Sequence, residues 1–433
     1  MMHKKIKLML CRLKPEILLV LCCLTSSAYS AELQLIKVAY ITQEKKVPAA
    51  LSNLDVFIPQ KGLAGTELAI TDNNTTGQFT QQRFQLKKII VPVDEDVIEA
   101  YKQQQLDDTV FIIANLSVEN LTRLADLYET QDKLIFDAST TDDSLRNSQC
   151  RDNVLHMLPS RAMRADALAQ YLLKKKWRHW FVVSGLRQED QSYVHAIRRA
   201  AKRFGMKIVG DKQWTHTYDA RRTAQSDVPV FTQGVDYDVL VVADEQGLFG
   251  EYLAYRTWIP RPVVGTQGLV PSAWHRTHEQ WGGVQMQNRF KAAAGRWMEE
   301  QDYGTYLAVR SIGEASVRTQ SNNMQTIKDY LLSDDFALQG YKGNPLSFRA
   351  WNGQLRQPVL LAAARSLVSV APIEGFLHPK TVLDTLGYDQ AESACGQPLE
   401  NITNESSVEP QENGKTPAFN WQTLLQKLLD KVK

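Results

Sequence analysis

Short apolar, β-branched runs alternate with amphipathic helix-like runs along most of this chain, and the alternation restarts once. "LIKVAYIT" (35–42) reads as a strand and "KGLAGTELAITDNN" (61–74) as a helix. "RFQLKKIIVPV", "DTVFIIANLS" and "KLIFDAS" read as further strands, separated by the helices "DEDVIEAYKQQQ" and "VENLTRLADLYETQ". A strand period followed by a helix period, repeated, specifies a parallel sheet covered by helices. After Pro159 the order begins again with the helix "ADALAQYLLKKKW", the strand "RHWFVVSG" and a helix closed by Gly205. "MKIVGDKQW", "YDVLVVAD" and "RPVVGTQG" complete the second set of strands, with "EQGLFGEYLAYRT" as a helix. "WGGVQMQ" and the helix "QDYGTYLAVRSIGEAS" continue a sheet already begun. "PLSFRAWNGQLRQPVLLAAA" reads as a hairpin turned at Asn352-Gly353. The predicted fold class is α/β, with two Rossmann-like lobes.

The first residues carry Lys4, Lys5, Lys7, Arg12 and Lys14, then an apolar run over 17–24, then "SSAYSAEL" with Ala28 and Ser30 ahead of Ala31. That order predicts a secretory signal peptide over 1–30, with the rest released to the periplasm. Cys22 and Cys23 raise lipidation as the alternative, against which bulky Leu21 stands where a small residue is wanted. Two cysteines then remain, Cys150 and Cys395, and an oxidising compartment favours a disulfide between them over two buried thiols. Fifty Lys and Arg against 48 Asp and Glu leave no electrostatic footprint for nucleic acid. No second long apolar segment predicts a stable membrane insertion. Residues 396–416 read as a polar linker. Residues 417–433 read as an amphipathic helix that either docks on its own lobe or offers a surface to a membrane-bound partner.

Enzyme motifs are mostly absent: there is no GxSxG, HExxH, Walker A loop or GxGxxG after a strand. His156, His179, His195, His216, His275, His278 and His378 are scattered. The H-x-x-H of His275 and His278 lacks further ligands at convincing spacing, so a solvated loop competes with zinc. The acidic clusters 94–96, 142–143 and 244–245 suit solvated faces or helix starts, with Asp94 and Asp142 as caps. Binding is therefore expected rather than catalysis. In open α/β sheets ligands sit beyond the carboxyl ends of strands. "ANLS" (114–117), "DASTT" (137–141) and "GTQG" (265–268) stand at such places, where hydroxyls either cap a helix or grip a polar ligand.

The order of segments resembles the periplasmic substrate-binding proteins of branched-chain amino acid type ABC transporters, the type I periplasmic binding fold. The likeness spans about 35–395. It rests on "GTELAITDNN", "FDASTTDDSL", "VLHMLPSRAMRADALAQYLLKKKWRHWFVV", "RPVVGTQGL" and "LSFRAWNGQLRQPVLL". "LPSRAMRADALAQYL", "WNGQLRQPVLL" and "HPKTVLDTLGYD" are similar to a subgroup associated with pyrroloquinoline quinone-dependent alcohol dehydrogenase systems. The resemblance implies two lobes joined by a multi-stranded hinge. The first would use 31–158 plus about 270–345, and the second 159–269 plus about 346–395. It also implies an inner-membrane ABC permease as partner, a quinoprotein dehydrogenase as a further one, no cofactor and no reaction.

Residue by residue, the resemblance gives Ser117, Ser139 and Thr140 the role of holding a ligand carboxylate. Gln267 stands where the family has the acid that neutralises an ammonium group, and an amide cannot do that. Tyr193 substitutes loosely for a tyrosine after the "VVSG" strand, and Glu245 stands where neutral or aromatic residues are usual. An aliphatic amino acid is thus not the expected cargo. Two alternatives carry their own expectations. An interaction protein would dock on a dehydrogenase or permease without a working cleft. A carrier of calcium, lanthanide or quinone would need Asp137, Asp142, Asp244 and Glu245 to converge.

Overall fold

The computed structural model describes residues 33–46, 57–106, 108–215 and 224–395. The expected signal peptide, linker and terminal helix, and His216, lie outside the described residues. Strands β1 (Gln34–Gln43), β2 (Gln82–Val91), β3 (Phe111–Asn115), β4 (Leu134–Asp137) and β5 (Val154–His156) form one sheet in the order β2-β1-β3-β4-β5, parallel throughout. The helices between them are α1 (Leu63–Thr80), α2 (Val97–Lys102) and α3 (Val118–Ala125). Period-two alternation splits the strand side chains between two cores. Val38, Tyr40, Phe111, Ile113 and Phe136 pack on one face, and Ala39, Ile41, Ile112, Ala114 and Ile135 on the other. Both faces are covered, so the strands read as nearly continuous apolar runs.

The second sheet repeats the plan. Helix α4 (Arg161–Lys174) leads into β6 (His179–Ser184), α5 (Gln188–Phe204), β7 (Lys207–Gln213), α6 (Ala224–Thr232), β8 (Val239–Ala243), the single turn α7 (Gly250–Leu253) and β9 (Val263–Gly265). The strands pair in parallel in the order β7-β6-β8-β9. Helix α7 is far shorter than the "EQGLFGEYLAYRT" pattern predicts. The buried Asp244 carboxylate takes the amides of Leu248, Phe249 and Gly250 at 2.7–2.9 Å, which holds 244–249 as a loop.

Then come β10 (Val270–Ser272), α8 (Gly283–Ala294), α9 (Glu300–Thr319), α10 (Met324–Leu331), and β11 (Leu338–Gln339), β12 (Pro345–Phe348), β13 (Leu355–Arg356), β14 (Val359–Ala363) and β15 (Ser366–Ala371). "WGGVQMQ", expected to extend a sheet, opens helix α8 instead, with Gly282 at φ 85° as its N-cap. The hairpin at 352–353 forms between β12 and β13, and Gly353 at φ +65° is the residue a turn there requires. A Cβ on it would sit 2.6 Å from the Val154 carbonyl oxygen.

Membership of the two main buried cores changes at three places along the chain. Leu158 packs in the first lobe and Met163 in the second; Val264 lies in the second and Ala273 in the first; Leu355 lies in the first and Val359 in the second. The hairpin, expected in the second lobe, thus packs Leu346, Phe348 and Leu355 into the first. The three crossings are tied side by side. Gln354 Nε2 donates to the carbonyls of His156 (3.3 Å) and Leu158 (3.0 Å), Gln357 Nε2 donates to Met157 O at 2.6 Å, and β10 pairs with β14. Cys150 and Cys395 form the expected disulfide, with Cα atoms 5.6 Å apart.

Candidate functional site

Beyond the carboxyl ends of β3, β4, β8 and β9 lies a cavity of about 820 Å³ between the two lobes. All six residues singled out from the sequence line it: Ser117, Ser139, Thr140, Tyr193, Glu245 and Gln267. Loops after four strands converge there because parallel strands all end on the same side of their sheet.

Their chemistry differs from expectation on the first-lobe side. Ser139 Oγ donates to Leu116 O at 2.7 Å and accepts from Leu116 N at 3.0 Å, so its hydroxyl is spent fastening the loop after β3 to the loop after β4. Thr140 Oγ1 donates to Asp137 and accepts from Arg146 Nη1 at 3.3 Å, and Arg146 Nη2 reaches Thr140 O at 2.7 Å. Ser117 caps α3, accepting from Asn120 N at 3.2 Å. Ser117 thus only accepts and, among the described residues, keeps its hydroxyl hydrogen for the cavity, whereas Ser139 and Thr140 build the wall. The same holds for Asp137, fully buried, which accepts from His156 Nδ1 at 2.8 Å and from the amides of Ser139 and Thr140. Burial alone would raise its carboxyl; the hydrogen bond and charge of His156 and the charge of Arg146 outweigh it and hold the group at about 2.

The second-lobe side is a set of closed ion pairs. Arg161, the first residue of α4, clamps Glu245 through Nε (2.8 Å) and Nη2 (2.6 Å) and spends Nη1 on Asp142 across the lobe boundary at 3.0 Å. One turn on, Arg164 Nη2 meets both oxygens of Glu300, the first residue of α9, at 3.0 Å. Asp190 accepts from Glu245 N at 2.8 Å, and its burial raises its carboxyl. Sequence reasoning missed Arg161, Arg164 and Glu300. Two arginines in the first turn of a helix oppose its dipole and so demand carboxylate partners, which was the available signal.

Gly265 sits at φ +110°, and a Cβ there would lie 2.2 Å from Val242 O. This close approach turns Thr266 and Gln267 into the cavity. Thr266 Oγ1 accepts from Asp244 N at 2.9 Å, but among the described residues nothing hydrogen-bonds the Gln267 amide. The Tyr193 hydroxyl, in a side chain 2% exposed, is likewise buried without a partner. Burial pushes its ionisation upward, so it is neutral.

The four carboxylates that a metal carrier would need are engaged with other groups. Asp137 and Asp244 are consumed as described, Asp142 and Glu245 share Arg161, and the described residues contain no group of three or more metal-ligating side chains. His275 Nδ1 lies 2.7 Å from Thr277 Oγ1 and His278 Nε2 lies 2.7 Å from Tyr341 O, so the H-x-x-H pair is engaged locally. No described helix is long and apolar enough to cross a membrane.

Residues 62–233 match the family model described as periplasmic binding protein. No curated protein matches the sequence. The fold is similar to a branched chain amino acid ABC transporter periplasmic ligand-binding protein from Burkholderia xenovorans LB400. The two share 16% identity at a TM-score of 0.64, over 84% of this chain and 99% of that one. An ABC transporter substrate-binding protein from Desulfitobacterium hafniense, in complex with Leu, has 16% identity and a TM-score of 0.57 over 77% and 98% of the chains. A solute binding protein of an ABC transporter from Rhodopseudomonas palustris BisB5, in complex with 3,4-dihydroxy benzoic acid, has 11% identity and a TM-score of 0.54 over 76% and 93%. Two parallel-sheet lobes, three crossings and a cavity at the strand ends are thus the fold of the type I periplasmic binding proteins.

Proposed function

We propose that this chain is the periplasmic solute-binding component of an ABC transporter, taking a small polar ligand into the cleft and presenting it to an inner-membrane permease. The observation that carries this reading is the cavity of about 820 Å³, walled by strand ends of both lobes. A site divided between two bodies is completed only when they close on a ligand, and closure excludes water from the polar contacts. The work is binding and release, with no bond made or broken. The lobes are proposed to run over 31–158 with about 270–345 and over 159–269 with about 346–395, the hairpin packing noted above shifting the last hand-over past residue 355. An accessory place beside quinoprotein alcohol oxidation rests on "LPSRAMRADALAQYL", "WNGQLRQPVLL" and "HPKTVLDTLGYD".

The test is a thermal-shift screen of small polar solutes on the exported chain, followed by small-angle scattering with any solute that stabilises it. A raised Tm with a smaller radius of gyration is expected. A flat response to every solute would sink the reading in favour of a protein that docks without a working cleft.

A further inference from the structure

We propose that the cleft takes an uncharged, hydroxyl-bearing small molecule, a polyol in chemical class, gripped by Tyr193 and Gln267; this rests on the binding reading above. Most of the cavity's charges are already matched: Arg161 with Glu245 and Asp142, Arg164 with Glu300, and Asp244 with three backbone amides. The remaining charged lining residues, Lys45, Glu119 and Glu189, are exposed. Solvent screens them and their pairing contributes little.

A zwitterion needs a receptor for each end. Of the hydroxyls that would take its carboxylate, those of Ser139 and Thr140 are bonded within the wall, and that of Ser117 stands two residues before Glu119, which places negative charge in the first turn of α3. Gln267, which lines the cavity, is a neutral amide and cannot neutralise the zwitterion's ammonium. Any full charge brought to the cavity floor would lose its hydration without a counter-charge, or would have to break a bidentate Arg–carboxylate pair, and either costs several kcal/mol.

Among the described residues the Tyr193 hydroxyl is buried without a partner, and the half-buried Gln267 amide, which no described group hydrogen-bonds, lines the same cavity. Both are neutral, and each offers a donor and an acceptor. An alcohol hydroxyl also donates and accepts, so it satisfies either group in either sense without bringing charge. Tyr193 is itself 2% exposed and unpartnered among the described residues, which is costly in an empty site and is repaired by a ligand hydroxyl.

The experiment is calorimetry and thermal shift on the full exported chain in glycerol-free buffer. The probes are glycerol, meso-erythritol and xylitol, set against leucine, glutamate and putrescine. A polyol is expected to raise Tm and bind, while the three charged probes do not. Tyr193→Phe and Gln267→Ala should each weaken polyol binding about ten-fold, the loss of one hydrogen bond, with the unliganded Tm of Tyr193→Phe unchanged or higher. Binding of leucine, glutamate or putrescine, or of a polyol with Tyr193→Phe and Gln267→Ala both silent, overturns this ligand and site while leaving the binding reading intact. Silence from all six, together with a flat general screen, overturns both.

Discussion

Arg164 Nη2 stands 3.0 Å from each carboxylate oxygen of Glu300, joining the first turn of α4 in the second lobe to the first turn of α9 in the first. Glu300 also accepts from Ala273 N at 3.1 Å and Ser272 Oγ at 3.3 Å, on the middle crossing between lobes. One carboxylate therefore fixes both a lobe contact and a hinge strand.

Replacing Arg164 with Met leaves Glu300 without its cation and is expected to cost about 2–3 kcal/mol in urea unfolding at pH 7. The pH dependence has a defined sign. Burial alone would raise the Glu300 carboxyl from its ordinary 4.5, but the Arg164 charge and the hydrogen bonds hold it lower. Its contribution in the native chain is thus present above about 4.5 and lost as pH falls through the lower folded value. In the Arg164→Met chain burial goes unopposed by the cation, so the deficit is largest near neutrality and shrinks on acidification. A deficit independent of pH would refute this account.

Ser139→Ala removes the bridge between the loops after β3 and β4 and leaves Leu116 N and O without that partner. A loss of about 1–2 kcal/mol in stability is expected. If Ser139 instead served the ligand directly, stability would hold and only affinity would fall.

Ser139 marks the boundary of what was legible in the sequence. The strand–helix alternation was readable because it is local: Val38, Tyr40, Phe111 and Ile113 declare their strands by period and β-propensity. The placing of site loops was readable as well, since parallel strands end together. The use of each hydroxyl was not, because the partner of Ser139 is a backbone 23 residues away and that of Arg164 a carboxylate 136 residues away. Helix α7 failed for a related reason. Asp244 looked like a helix start, but its carboxylate binds amides from three successive residues and keeps them out of a longer helix. The Gln267 amide stood out in the sequence as a change of charge from the resembled family, but what it contacts was not readable there.

Asp137, held at about 2 against an ordinary 3.8, contributes stability that is present above about 3.8 and lost as pH falls through about 2. Unfolding free energy should therefore fall by about 2 kcal/mol across that window from this group. Asp137→Asn should be less stable at pH 7, because His156 and Arg146 lose their anion, and its stability should vary less between pH 4 and 2. Parallel pH profiles for the two chains would show that another carboxylate dominates acid unfolding.

Gln267→Glu tests the charge logic of the floor most directly. The substitution preserves shape and puts a carboxylate where no described cation pairs with it, since Arg161 and Arg164 are occupied. A half-buried, unpaired carboxyl titrates above its unfolded value of about 4.3. Its ionisation then opposes folding, so stability relative to the native chain is lost as pH rises through that value. The variant should match the native chain near pH 4 and fall below it by about 1–2 kcal/mol at pH 7. An ammonium-bearing solute such as putrescine should recover part of that loss in the variant and do nothing for the native chain, while meso-erythritol should stabilise the native chain more. Equal responses of both chains to putrescine at pH 7 would mean that residue 267 does not face the ligand. The assignment of the cavity floor would then have to move to the Arg161–Glu245 side.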